Sequence, residues 1–352
     1  MRRGFYGWNQ DELPLSALEA RAGAIQAALA KAGLEGLLLY TNIARPAAVS
    51  WITGFTPYWS EGLLFVPVSG APDFATALSK RVGEWMRSVT PTGSILNTPN
   101  PAGFFGKKLA ESGAKRLGVL ELDMLPGAQA QALLSAAPGL ELVDATSLFR
   151  AVRSQRDQAE LLLFATAAQL ANDGLARVVP GGSADAYEHI GQVEKLARDG
   201  RAEEVFVTLA PDLAKASRFL RVDKAGAVGT SFAVRSSVAY KSTWVWRTIS
   251  VSSDAPVAQR FAEASAMITA LVASLDGGKP LASQIEAAVG KLSGASLTSF
   301  ALEACRGSYP LEIIAGTGAG DEAPGLLAGS VLTVTLDLGG IAYVDSRPIL
   351  PR

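Results

Sequence analysis

The residues with the densest chemistry are Tyr240-Lys241-Ser242-Thr243-Trp244-Val245-Trp246-Arg247-Thr248. This stretch begins at the end of one expected strand and runs into the next. Alternation of side chains along a strand puts Trp244 and Trp246 on one face, and Val245 and Arg247 on the other. A lysine, an arginine and two indoles so close together suit the capture of a carboxylate or of a planar cation. A well-packed sheet with snorkelling basic side chains would account for the same residues, and both readings stand at this point. The single histidine, His189, could be a general base. It lies in an expected helix, beside Asp185, Gln192 and Leu196, and reads as a residue of the polar face. No Gly-x-Ser-x-Gly elbow exists for it to serve in a catalytic triad. Gly316-Thr317-Gly318-Ala319-Gly320 has the look of a phosphate loop. Asp321 stands where a dinucleotide fingerprint needs its last glycine, and Pro324 follows too soon for a helix, so the stretch reads as a turn.

One cysteine, Cys305, excludes an intrachain disulfide and a cysteine-rich metal site, and one histidine excludes sites that need two. The chain has 352 residues, 49% hydrophobic and 18% charged, enough for about two globular domains. With 32 Lys+Arg against 33 Asp+Glu the net charge is −1, which points away from nucleic acid and anionic membrane surfaces as partners. No apolar segment follows Arg2 and Arg3, and no uncharged apolar run approaches the ~18 residues of a membrane span. A cytoplasmic protein is expected.

The positioning elements follow from periodicity. Ser16 and Glu19 suggest a capping box for a first helix that stops at Gly33. Strands are expected at 36–40, 62–68, 74–78 and 116–122, with a helix at 126–136 and a last strand and exit within 137–150. That alternation describes a compact α/β domain. The second half has a different rhythm. A long helix over 154–178 is broken by Pro180-Gly181-Gly182, and Ser183 is expected to cap a helix to about 198. Strands follow at 204–209, 227–236 and 243–252, then helices at 257–275 and 281–292, then strands at 330–336 and 341–344. Two helices then strands, twice over, reads as a tandem repeat of one α+β unit.

The motifs in this order resemble the creatinase / aminopeptidase P / prolidase family. In the first half the likeness rests on Gly36-Leu37-Leu38-Leu39-Tyr40-Thr41-Asn42 followed by Trp51-Ile52-Thr53-Gly54-Phe55. In the second it rests on Val152-Arg153 before a long helix, on Ala239-Tyr240 with Arg247-Thr248, on Glu322-Ala323-Pro324 and on the terminal strand pair. The resemblance implies an α/β creatinase-like N-terminal domain over 1–150 and an α+β pita-bread domain over 151–352, assembled as a homodimer. Peptidases of the family hold two divalent ions with two Asp, one His and two Glu. The corresponding positions here carry Ala233, Trp244 and Ala315, and the two Glu positions fall near Leu336–Asp337 and Val344–Asp345. Only Asp337 and Asp345 could ligate, so neither metal nor cofactor is expected. Creatinase uses a histidine instead, and the comparable stretch Lys215-Ala216-Ser217-Arg218-Phe219 has none.

Two functional classes therefore stand. One is a metal-independent hydrolase or lyase acting on a C–N bond of a small carboxylate-bearing amide or guanidino compound. Its acid/base candidates are Asp337, Asp345, Glu322 and Glu303, with Lys241 or Tyr240 as a second group. Arg247 would clamp substrate between Trp244 and Trp246, Arg347 is a further binding candidate that could instead form a structural ion pair with Asp337 or Asp345, and Asn42, Arg45, Trp59 and Glu61 are the N-terminal residues that could complete a pocket from a neighbouring subunit. The other is a catalytically inactive pseudoenzyme that binds a small molecule or partners an active relative.

Overall fold

A computed structural model describes residues 8–55, 60–90, 93–180, 185–222, 226–318 and 322–352. Two units emerge from it. One comprises Arg2–Glu160 with Cys305–Pro310, the other Leu161–Ala304 with Leu311–Arg352.

The first unit runs α1 (Leu15–Ala32), β1 (Gly36–Thr41), α2 (Ala47–Thr53), β2 (Gly62–Pro67), β3 (Asp73–Thr76), α3 (Gly83–Val89), β4 (Ser94–Asn97), α4 (Pro101–Glu111), β5 (Arg116–Val119), α5 (Gly127–Ala136), β6 (Glu141–Asp144) and α6 (Thr146–Arg153). The strands form one mixed sheet, β4-β3-β2-β1-β5-β6. It is antiparallel through β1–β2–β3 and parallel at β3–β4 and β1–β5–β6. Leu37 and Leu39 face one core with Ile25, Leu29 and Trp51, while Leu38 faces another with Phe65 and Phe105. A strand apolar at every position is covered on both sides. The expected capping box does not form: Pro14 takes the N-cap, α1 starts at Leu15, and Ser16 falls inside the first turn. Gly33 does end the helix, in the left-handed region at φ 65°.

The second unit runs α7 (Gln158–Leu175, entering from the first), α8 (Ala186–Asp199), β7 (Glu204–Ala210), β8 (Ser231–Tyr240), β9 (Thr243–Ser252), α9 (Ala255–Ser274), α10 (Leu281–Val289), β10 (Ser296–Ala304), β11 (Glu312–Gly316), β12 (Ser330–Asp337) and β13 (Ala342–Ile349). The helix expected over 154–178 forms as the single helix α7, shortened to Gln158–Leu175; Asp157 Oδ1 accepts from Glu160 N at 2.8 Å at its start. Ser183 lies outside the described residues. Asp185 caps α8 instead, accepting from Tyr187 N at 2.9 Å. Strands β10 and β11 are not expected from sequence, although Phe300, Leu302 and Ala304 of β10 alternate as buried residues.

The seven strands order as β11-β10-β12-β13-β9-β8-β7. The two helix-pair-plus-strands halves thus meet between β13 and β9. Helices α7 and α8 pack on Leu209, Phe232 and Val234, and α9 and α10 on Phe300, Leu332, Val334 and Leu336. Burying each such side chain stabilises by roughly 1.5–3 kcal/mol. His189 is 4% exposed, its ring 5.1 Å from that of Phe232. The polar-face reading is corrected: Ala186, His189, Ile190, Val193 and Ala197 form one buried stripe. Among the described residues no helix is long and apolar enough to cross a membrane.

Candidate functional site

Directly paired residues of neighbouring strands share a face of the sheet. Arg235 pairs with Thr248, Thr248 with Ser346, Ser346 with Thr333, and Thr333 with Ala301. The row lies on the face opposite Phe232, Val234, Leu332 and Val334, and so away from the helices. Hydroxyls bridge it. Arg235 Nε donates to Thr248 Oγ1 at 3.0 Å, a hydrogen bond of 2.7 Å joins Thr248 Oγ1 and Ser346 Oγ, and Thr333 Oγ1 donates to Ser346 Oγ at 2.9 Å. By alternation Trp244, Trp246 and Glu303 lie on the same face.

Between β8, which carries Arg235, and β10, which carries Glu303, stand β9, β13 and β12. Glu303 nevertheless feels the charge of Arg235. Burial pushes the Glu303 carboxyl up to about 7, with Arg235 acting in the opposite direction. The Arg235 guanidinium stands 4.4 Å from the centre of the Phe219 ring and 5.8 Å from that of Trp246. Burial lowers its pKa, and Glu303 opposes that. Among the described residues its two Nη groups have no hydrogen-bond partner, and neither has the buried Nε1 of Trp246. A free guanidinium fork matches a carboxylate, the indole N–H can donate to a second oxygen, and a carboxyl titrating near 7 can take and return a proton at neutral pH.

Of the acid/base candidates, only Glu303 sits in this environment. Asp337 lies on the same face but accepts from Gly340 N at 2.8 Å and shapes the β12–β13 turn. Glu322 is exposed in the loop before β12. Asp345 is 1% exposed and lies on the helix face. It accepts from Arg247, from Tyr343 Oη at 2.9 Å and from Arg347 Nη2 at 3.0 Å. Arg247 and Arg347 are therefore not walled by Trp244 and Trp246, because alternation turns them to the other side. Lys241 and Ser242, at φ 45° and 62°, form the two-residue hairpin turn between Tyr240 and Thr243. Tyr240 is buried against α7 and Val245.

The N-terminal candidates have local duties. Tyr40 Oη donates to Glu61 Oε2 at 2.7 Å, and Gln129 Nε2 to Glu61 Oε1 at 3.1 Å. Asn42 Oδ1 accepts from Ala44 N at 2.9 Å and from Arg45 N at 3.1 Å. Arg45 stacks on the ring of Tyr309 at 4.6 Å and donates to its Oη at 2.7 Å. Trp59 lies outside the described residues. Sequence reasoning misses Arg235, Ser346 and Thr333, and gives Phe219 and Thr248 no role of their own. The available signal was Arg235 itself, a lone charge within the apolar run Phe232–Val238.

The dinuclear metal site of the family does not fit these residues. Ala233, Trp244 and Ala315 carry no donor, Asp337 and Asp345 lie on opposite faces of the sheet, and Asp345 is saturated by two guanidinium groups. Among the described residues no three His, Cys, Asp or Glu side chains converge as metal ligands.

Comparison with known proteins adds the following. Residues 21–155 match the family described as Creatinase/Prolidase N-terminal domain. Among solved structures, a prolidase from Pyrococcus horikoshii OT3 is 16% identical with a TM-score of 0.69, over 94% of this chain and 95% of that one. A Bacillus anthracis Xaa-Pro dipeptidase is 18% identical with a TM-score of 0.67, over 94% and 93%. An X-Pro aminopeptidase from Thermotoga maritima MSB8 is 14% identical with a TM-score of 0.68, over 91% and 93%. A comparison with curated protein sequences gave no match.

Proposed function

Starting from a chain whose N-terminal region belongs to the creatinase/prolidase family and whose fold is that of the pita-bread prolidases, we propose that it hydrolyses a C–N bond in a small carboxylate-bearing amide or guanidino compound on the face of its second sheet that carries Arg235 and Glu303. The observation that carries this reading is the Glu303 carboxyl, pushed up to about 7 by burial, on the same face of the sheet as Arg235, whose Nη groups have no hydrogen-bond partner among the described residues. The Nη groups of Arg235 take the substrate carboxylate, with Phe219 and Trp246 packed on the guanidinium. Trp246 Nε1 donates to the oxygen or nitrogen that gains electron density. Glu303 takes a proton from water, and the water oxygen bonds to the carbonyl or amidino carbon as the double-bond pair moves onto the acceptor. On collapse the C–N bond breaks and Glu303 returns the proton to the leaving nitrogen. No step passes through a metal ion.

The test is amine release from a panel of Xaa-Pro dipeptides, N-acyl amino acids and guanidino acids. The similar structures named above, a prolidase, an Xaa-Pro dipeptidase and an X-Pro aminopeptidase, put the dipeptides first. Turnover of one class is expected, falling by about 10²–10⁴-fold in Glu303→Gln. Saturable binding with no turnover across the panel would replace the hydrolase with a binding protein.

A further inference from the structure

The meeting line of the two halves of the second sheet is split on its helix side. Strands β9 and β13 share one backbone pair, Thr248 with Ser346. Beyond it Ser250 Oγ stands in for the ladder, donating to Val344 O at 2.9 Å and accepting from Val344 N at 3.0 Å. A cavity of about 350 Å³ opens there beneath α9, lined among others by Arg247, Asp345, Ile249, Ala258, Phe261 and Tyr343.

The charges around it do not balance. Asp345 is the one carboxylate between two guanidiniums. Arg347 is fully used: it binds Asp345, Ser265 and Thr269. Arg247 is not. Its Nη1 alone serves Asp345, the Thr248 carbonyl and the Ser346 carbonyl. Nε and Nη2 have no hydrogen-bond partner among the described residues. Burial disfavours its charge, and Asp345 only partly restores it. A half-satisfied guanidinium, a surplus of one positive charge and an adjacent cavity with an apolar wall together describe a receptor for one small anion.

We propose that this cavity binds a small monocarboxylate, with its two oxygens on Nε and Nη2 of Arg247 and its short apolar body against Ile249 and Phe261. The site lies on the opposite face of the sheet from Arg235 and Glu303, and goes beyond the hydrolytic reading.

The probe is sodium acetate, titrated into the whole protein while the unfolding midpoint is followed, with sodium chloride at equal ionic strength as the control. Arg247→Met leaves Asp345 and Arg347 paired one to one, so the variant should fold. Ala258→Leu fills the cavity and touches no charge. A saturable acetate-linked rise is expected in the wild type and in Arg235→Gln, and at least tenfold weaker acetate affinity in Arg247→Met and Ala258→Leu. Persistence in Arg235→Gln separates this site from the substrate carboxylate site. No saturable rise, a rise matched by chloride, a rise lost in Arg235→Gln, or equal affinity in all variants would each overturn the proposal.

Discussion

Replacing Glu303 by Gln perturbs one group in one direction. The folded protein keeps the Glu303 proton up to about pH 7, whereas an ordinary glutamate releases it near 4.5. Between those values the folded state binds more protons than the unfolded chain, so this group makes stability fall as pH rises through the window. At about 1.4 kcal/mol per pKa unit the upper bound on the loss is about 3 kcal/mol. Residual solvent around a half-buried carboxyl reduces that to the order of 1–2 kcal/mol. Glutamine removes the titration and keeps the shape. Urea unfolding at pH 5 and pH 8 measures the effect, and the difference between variant and wild type cancels the other titrating groups. Glu303→Gln is expected to gain about 1–2 kcal/mol on the wild type at pH 8 relative to pH 5. Parallel pH dependences of the two proteins would refute the burial argument, and with it the choice of Glu303 as the proton-transfer group.

Other substitutions test other parts. Asp345→Asn strands two buried guanidiniums and should cost about 3–5 kcal/mol in chemical denaturation; Arg247→Met, which leaves a balanced pair, should cost clearly less. Lys241→Asn with Ser242→Gly relieves two side chains held at positive φ and should raise stability by roughly 1 kcal/mol. Tyr309→Phe keeps the ring under Arg45 and removes its acceptor, for a loss of about 1 kcal/mol by the same assay.

How far the site could be read in advance depends on range. The opposite orientations of Trp246 and Arg247 are local, and strand alternation gives them correctly, whereas the strand expected to end at 236 runs on to Tyr240 and the hairpin at Lys241-Ser242 is not anticipated. The fold class is carried by helix and strand order together with short motifs such as Trp51–Phe55, and the structure agrees. The partner of Arg247 is not local: Asp345 lies 98 residues away, and nothing near either residue says that they meet. Glu303 is legible only as one carboxylate among four, because its raised pKa comes from burial set by the tertiary packing around β10. Arg235 was legible as an anomaly in an apolar strand and was passed over for the richer stretch beside it. His189 misled because a polar type in a helix suggests solvent, while its spacing from Ala186, Ile190 and Val193 gives the buried face.

The central claim is that Glu303 transfers the proton while Arg235 holds the carboxylate. It is tested most directly by kcat/KM against pH for amine release, in wild type, Glu303→Gln and Arg235→Lys. Wild-type activity should rise with pH to a plateau near 7, as the carboxyl becomes the base. Glu303→Gln should lose activity at every pH, and Arg235→Lys should raise KM with the pH midpoint nearly kept. Wild-type rates and midpoint retained in Glu303→Gln would contradict the account.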